Sequence, residues 1–359
     1  MDWPTLVGVV ALALVILAVL ARLHYLFWVR RLTVAVEYSE RHDIVTADDV
    51  PITLHRLEPP PTPLEPPVLV VHGLAANHRN VDAEPDRSVS RYLHDQGRDV
   101  WLLTLRSGNP ALNAKQRAKV DFRSMVENDI PEAIQFVRDR THAERIDYVG
   151  FSMGGMLLYA ALGRTVDPEV LRRVAMIGSP ARVAPPILML RRLRFLPRFV
   201  FRGLWLRLGA RMAAFVVEHL RTPIHRFIYN PDNVKRGATG RALVNLIEDV
   251  QAPLSADFAA WALADGVVRV EGRDIAEQLP PIDVPAIFFA GAADRIARAD
   301  AVRVAYDQWG SEAESVEKRF VLMGTEEGCR YDYGHGDLAI GDHLREELFP
   351  PLGAFLASD

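Results

Sequence analysis

The stretch Ile146-Asp-Tyr-Val-Gly-Phe-Ser-Met-Gly-Gly155 decides how the rest of the chain is read. Ile146–Phe151 is a short apolar run of the kind that forms a buried strand, and Met153–Gly163 reads as a helix. Gly150-Phe-Ser152-Met-Gly154 therefore fits G-x-S-x-G at a strand end and a helix start. On such a sharp turn the serine takes a strained backbone conformation, and the glycines let strand and helix approach closely. The turn lifts the Ser152 hydroxyl above the sheet. It also aims the Met153 N–H, at the positive end of a helix, toward any oxyanion forming beside the serine. A bare G-x-S-x-G is an ordinary glycine turn in many proteins; the flanking strand and helix distinguish this one.

Outward from this turn the chain alternates apolar strands with amphipathic helices. Val68–Val71 is a strand ending at His72-Gly73, followed by a helix over Ser88–Gln96 that Gly97 closes. Asp99–Leu105 is the next strand. Phe122–Arg140 is helical, with Met125, Ile130, Ile134 and Val137 on one face and Pro131 near a first turn or kink. Val170–Ile177, Ala286–Ala290 and Phe320–Met323 are further strands, and Leu344–Leu356 is a closing helix. This alternation predicts an α/β protein with a mostly parallel sheet covered on both faces. Before it, Thr33–Tyr38 and Val50–Leu57 alternate like short strands. The proline-rich residues 58–67 read as an exposed connector unable to pair in a sheet.

A serine on such a turn needs a base and an orienting acid, and where the turn serves as a nucleophile elbow they follow in the order serine, acid, histidine. Asp294 is the first carboxylate past Ala286–Ala290, in a loop of small residues. Asp300, six residues on, reads better as a helix-starting carboxylate. His335 lies between Gly334 and Gly336 after the last strand, in a loop suited to reach across a site. Asp332 and Asp337 flank it and rank below Asp294 as the orienting acid, and His343 reads as solvated surface on the following helix. His72 comes too early for the base and is read as shaping its loop, in which the Leu74 N–H is the second candidate oxyanion donor. His335 then takes the serine proton, Asp294 fixes the tautomer, and the N–H groups of Leu74 and Met153 hold the oxyanion. No metal or organic cofactor is required.

Several stretches resemble the acid lipases, the gastric and lysosomal type of neutral-lipid hydrolase. They are Asn128–Val137 with Tyr148–Ser152, Asp99-Val-Trp-Leu102, Ala293-Asp-Arg-Ile-Ala297 with Asp300-Ala-Val302, and His335-Gly-Asp337 with Gly341. The resemblance spans about residues 67–180 and 284–356, an extent set by motif and element order. It implies the α/β-hydrolase fold with an inserted helical cap, and carboxylic ester hydrolysis through an acyl-enzyme. By position it assigns the nucleophile to Ser152, the acid to Asp294, the base to His335 and the oxyanion donors to Leu74 and Met153. There are departures: those lipases commonly carry Gln where Met153 stands, and Asn-Ser-Arg-Gly where this chain has Leu105-Arg-Ser-Gly108. They are also secreted or lysosomal. Polyhydroxyalkanoate synthases are similar at the acid loop but use a cysteine nucleophile, against which Ser152 counts. Acyl transfer from the same acyl-enzyme, and a non-catalytic binding module on the same fold, stay open as alternatives.

Two regions lie outside this pattern. Trp3–Ala21 carries no charge and spans ~28 Å as a helix, close to a bilayer core. Trp28, Arg30 and Arg31 follow as interface markers. An acidic start at Asp2 and the long apolar run favour a retained single-pass anchor. The alternative is a cleaved signal peptide ending at Val19-Leu20-Ala21. Positive charge after the run places the catalytic domain in the cytoplasm. The insert between about Ser179 and Pro285 is the expected cap. Its run from Arg182 to Arg211 mixes eight arginines with aromatic and aliphatic residues and has no carboxylate, which suits either a membrane surface or an arginine-rich cap on the core. The expected division is an anchor over 1–31, core over 32–180, cap over 181–283 and core over 284–359. With 359 residues, 49% of them apolar, and a net charge of -4, the chain has ordinary globular composition and no general attraction to nucleic acid. One cysteine, Cys329, rules out an intrachain disulfide. The expected partners are a lipid or small ester substrate and a membrane.

Overall fold

The computed structural model describes residues 2–183, 205–220 and 225–358. Helix α1 runs over Trp3–Leu32, with Asp2 accepting from the Thr5 N–H at its start. It is the one helix among the described residues long and apolar enough to cross a membrane, by length and composition. The chain then builds an eight-stranded sheet from β1 (Glu40–Val45), β2 (Pro51–Arg56), β3 (Leu64–Val71), β4 (Arg98–Thr104), β5 (Ile146–Phe151), β6 (Leu171–Ile177), β7 (Ala286–Gly291) and β8 (Lys318–Met323). Its order is β1-β2-β4-β3-β5-β6-β7-β8. The first two strands are antiparallel to their neighbours, and every pair from β4 to β8 is parallel.

Strands β5 and β7 are buried at every position, which explains why each is a continuous apolar run. Helices cover both faces: α2 (Val89–Asp95), α3 (Ile130–Thr141) and α4 (Met153–Ala161) come before β6. In α3, Ile130, Ala133, Ile134 and Val137 recur at helical spacing and are buried against the sheet. Each large side chain among them contributes roughly 1.5–3 kcal/mol. The direction of winding reverses at β3, which lies between β4 and β5. The crevice beyond the carboxyl ends of β3 and β5 is where such sheets hold their ligands.

Four sequence readings need correction. Thr33–Tyr38 alternates in exposure but pairs with no strand among the described residues: the Val34 N–H donates to Asn245 Oδ1, and the Val34 carbonyl accepts from Arg79. The first strand is instead the polar Glu40–Val45. The proline-rich connector is partly in the sheet, since β3 begins at Leu64 opposite Arg98, with the register shift confined to Leu64–Val68. The Phe122–Arg140 helix is interrupted by a wider turn over Met125–Asp129, after which α3 begins with Pro131 in its first turn. The closing helix breaks at Leu348 before Phe349-Pro-Pro351, as expected where prolines remove the N–H donors of a continuing helix.

Within the insert, α5 (Leu206–His219), α6 (Ala238–Asn245) and α7 (Ala252–Leu263) are helical. The insert reaches both sides of the crevice: Asn77 N–H donates to the Leu246 carbonyl, Glu248 N–H to that of Ala75, and Gly336 N–H to that of Ile228. Of the arginine-rich run over Arg182–Arg211, residues 184–204 lie outside the described residues. Helices α8 (Ala299–Gln308) and α9 (Phe349–Ala357) complete the cover of the sheet.

Candidate active site

Ser152 sits between β5 and α4 with φ 52° and ψ −116°, a conformation side chains rarely adopt. Close packing holds it there. A Cβ on Gly154 would stand 2.5 Å from the Val71 carbonyl oxygen and 2.9 Å from that of His72. A Cβ on Gly150 would stand 2.6 Å from Gly155 N. The Tyr148 hydroxyl donates to the Gly154 carbonyl at 2.7 Å, tying strand to helix beneath the serine.

Asp294 follows β7 in a tight turn, buried, with its Oδ1 accepting from the N–H groups of Ile296 and Ala297, both at 2.8 Å. Its other oxygen accepts from His335 Nδ1 at 2.8 Å, and Ser152 Oγ donates to His335 Nε2 at 3.0 Å. These bonds assign the tautomer: an ionised Asp294 can only accept, so Nδ1 carries the proton and Nε2 faces the serine hydroxyl as an acceptor. The imidazole lies against the Phe151 ring, centroids 5.2 Å apart. The acid and histidine loops are joined directly, Ala293 N–H donating to the Tyr333 carbonyl at 2.9 Å. The structure thus brings Ser152, His335 and Asp294 into one hydrogen-bonded relay.

The other carboxylates around this loop have different partners. Asp300 is in the first turn of α8, paired with Arg298 and bonded to the N–H of Ala301. Asp332 accepts from the Thr325 N–H and hydroxyl. Asp337 is buried and accepts from the Asn230 N–H at 2.7 Å and from the Asn233 amide at 3.2 Å. Burial is the main cause pushing the Asp337 carboxyl up to about 7. The bonds from Asn230, Gly334 and Asn233 oppose it, and the charge on Asp294 adds to it. His343 departs from its reading as solvated helix surface: it is half-buried at the cap of a short turn and stacks on Tyr331.

On the opposite wall, Leu74 stands in the turn after β3, beside Ala75 with φ 56°. Asn80 Oδ1 takes the Gly73 N–H at 3.1 Å, leaving Leu74 as the next donor along the loop. Met153 begins α4, so its N–H has no acceptor within the helix. His72 is fully buried; its Nδ1–H donates to the Gly73 carbonyl and its Nε2 accepts from the Leu105 N–H at 3.1 Å. Burial lowers its pKa to about 4, so the ring stays neutral. Behind it, Arg106 is buried with its guanidinium on Asp129 and Asp48. The sequence reading missed Asn80, Asn230 and Asn233, which hold the two loops. Asn80 acts through its side chain on the Gly73 N–H, Asn230 through its backbone N–H on the Asp337 carboxylate, and Asn233 through its amide on the same carboxylate; no spacing or motif announces such bonds.

Among the described residues no cluster of three or more His, Cys, Asp or Glu side chains could hold a metal ion. A serine with its proton directed at a neutral imidazole, beside a helix N-terminus, is equipped for nucleophilic attack on a polarised carbonyl.

Comparison with known proteins agrees with this architecture. The model of the alpha/beta hydrolase fold family matches residues 66–324. Lipase member M of Homo sapiens is 24% identical over 216 residues, 56% of this chain and 43% of that protein. Gastric triacylglycerol lipase of Rattus norvegicus is 28% identical over 184 residues, 45% of each chain. The chain spans less than half the length of these curated relatives. Among solved structures, a bacterial membrane phospholipase A superposes with a TM-score of 0.52 at 17% identity, covering 98% of this chain and 96% of the other, which shows likeness of fold. The sheet order, the serine turn and the family match together identify the chain as a member of the alpha/beta hydrolase fold family, similar within it to the acid lipases.

Proposed function

We propose that this protein is a carboxylic ester hydrolase of the lipase/esterase type, with Ser152 as nucleophile, His335 as base and Asp294 as orienting acid. The observation that carries the reading is the relay of 3.0 Å from Ser152 Oγ to His335 Nε2 and 2.8 Å from His335 Nδ1 to Asp294. In the forward step Ser152 Oγ bonds to the ester carbonyl carbon while its proton passes to Nε2. The carbonyl oxygen, now an anion, is held by the N–H groups of Leu74 and Met153. Collapse returns that proton to the departing alcohol and leaves an acyl-serine. Water, deprotonated by the same imidazole, then releases the acid and restores the hydroxyl.

The lipases among its relatives and the apolar α1 support a lipid-like ester as substrate and a membrane as its setting. In this reading residues 1–31 anchor the chain with the catalytic domain on the cytoplasmic side, where Arg22, Arg30 and Arg31 lie. Residues 181–283 form the cap between the two parts of the core. The test is covalent labelling by a fluorophosphonate together with ester turnover. Ser152→Ala is expected to abolish labelling and to cost up to about a millionfold in kcat. Labelling at another residue, or turnover retained in Ser152→Ala, overturns the assignment.

A further inference from the structure

Helix α5 carries an apolar stripe that the other described residues leave uncovered. Leu208, Met212 and Val216 within the helix, with Trp205 and Leu220 at its two caps, recur at intervals of three and four, so they follow one face. In chain order they are 78%, 51%, 63%, 45% and 58% exposed. The other face of α5 is packed: Ala214 is fully buried with Leu32 and Val244, and Phe215 meets Trp28 with ring centroids 4.7 Å apart. His24 also stacks edge-on against Phe215. The α5 arginine side chains are held at its packed side, Arg207 by Glu248 and Arg211 by the Val244 carbonyl, while the Arg207 backbone N–H donates to the Asp249 carboxylate. The helix is thus fixed in place with its apolar stripe outward.

What covers the stripe follows from where α5 sits on α1. Arg211, Met212 and Phe215 line a groove of about 670 Å³ together with Leu17, Leu20 and Ala21. Helix α1 has 30 residues, ~45 Å, against ~30 Å of bilayer core. A span over Trp3–Ala21 leaves Arg22–Leu32 emerging, and α5 packs against that emerging part and the last turn before it. The stripe therefore continues the lipid-facing surface of α1 at the depth where the chain leaves the membrane.

We infer that α5 is a second membrane-contacting element, an interfacial helix whose stripe Trp205–Leu208–Met212–Val216–Leu220 lies in the acyl boundary of a phospholipid bilayer beside α1. The inference rests on the reading of α1 as a membrane span. It goes beyond that reading by placing part of the insert in the lipid. Ile228 and Asn230, which belong to the same insert as α5, bond the His335 loop.

The full chain, reconstituted in vesicles of phosphatidylcholine and phosphatidylglycerol, tests it. Single cysteines in a Cys329→Ser background (L208C, M212C, V216C, with L14C in α1 and E314C in the exposed loop before β8) carry an environment-sensitive fluorophore. Probes on α5 are expected to shift to the blue and to lose fluorescence to lipids brominated near the carbonyl end of the acyl chain. The α1 probe should lose more to bromines near the methyl end, and the Glu314 probe should be unaffected. Quenching at Leu14 with none on α5 overturns the interfacial helix and leaves the span intact. No quenching at either overturns both. Coupling of M212C between two copies in place of lipid quenching assigns the stripe to self-association and also overturns the inference. Turnover of a soluble short-chain ester, measured on the same samples, reports the hydrolase reading separately. A combined Leu208→Gln, Met212→Gln and Val216→Gln variant should lower the ratio of vesicle-ester to soluble-ester turnover, and an unchanged ratio counts against the inference.

Discussion

Asp294→Asn offers the sharpest test of the relay, because its outcome follows from which atom meets which. Asp294 Oδ1 accepts from two backbone N–H groups, of Ile296 and Ala297, and Oδ2 accepts from His335 Nδ1. An asparagine amide has one acceptor end and one donor end. Two N–H donors at 2.8 Å cannot face an NH2 group, so the amide oxygen takes the Oδ1 place and the NH2 group takes the place of Oδ2. It then points a donor at Nδ1 and drives the proton of the imidazole to Nε2. That nitrogen lies 3.0 Å from Ser152 Oγ and would offer the serine a proton where it must take one. The variant therefore keeps shape and packing but has no base. Loss of a correct tautomer in serine triads costs about 10,000-fold in kcat, or about 5.4 kcal/mol in the barrier. The assay is hydrolysis of p-nitrophenyl butyrate, with KM expected within about twofold of the parent because the lost interaction acts in the transition state. The second-order rate of fluorophosphonate labelling should fall in parallel. A loss of less than about tenfold, with an unchanged thermal midpoint, would refute the role of Asp294 in holding the tautomer.

Three further substitutions probe the supports of the site. The Asp337 carboxyl, pushed up from 3.8 to about 7, binds its proton more tightly folded than unfolded; the stability it contributes is complete below pH 3.8 and is lost as pH rises to about 7. Asp337→Asn should flatten that part of the curve of urea midpoint against pH, and parallel curves for the two proteins would exclude it. Gly154→Ala places a methyl 2.5 Å from the Val71 carbonyl oxygen, with backbone on both sides of the clash, and should cost about 1–3 kcal/mol or more in urea unfolding together with fluorophosphonate labelling. Arg106→Met leaves the buried Asp129 carboxylate with the residue 106 backbone N–H but without its cationic partner and should cost about 3–5 kcal/mol, with Arg106→Met/Asp129→Asn recovering part of it in a double-mutant cycle.

The legible parts of this fold were those in which local chemistry and global position agree. Strands β5 and β7 are buried on both faces, so their sequences are apolar runs, and each ends where a tight turn follows. That agreement made Ser152 and Asp294 readable from neighbouring residues. His335 was readable because two glycines bracket it in a loop after the last strand. Edges behave differently. In β1, Glu40, Arg41, His42 and Asp43 are polar, and the strand is held through partners such as Arg56 that lie beyond any local window. Thr33–Tyr38 has the alternation of a strand and, among the described residues, no neighbour to pair with, because periodicity reports a half-covered surface and not what covers it.

The same limit explains why the ties between the insert and the site were not read from the sequence. The insert's contacts with the core include single long-range bonds: the Asn230 N–H and the Asn233 amide donate to the Asp337 carboxylate, and the Asn77 amide donates to the Asn245 carbonyl and to Glu248. Each such bond joins residues about a hundred or more positions apart and leaves no pattern within either segment. These bonds nevertheless bear on chemistry. The loop carrying His335 is held from one side by Asp294 and Ala293, which belong to the core, and from the other by Ile228 and Asn230, which belong to the insert. A displacement of the insert would therefore shift Nε2 relative to Ser152 Oγ, where ~1 Å of misplacement can cost on the order of a hundredfold in rate. The hydrogen-bonded relay of Ser152, His335 and Asp294 is in that sense positioned by both core and insert. If α5 lies in the lipid as inferred, rates on vesicle-bound esters should respond to α5 substitutions that leave the Ser152 relay untouched.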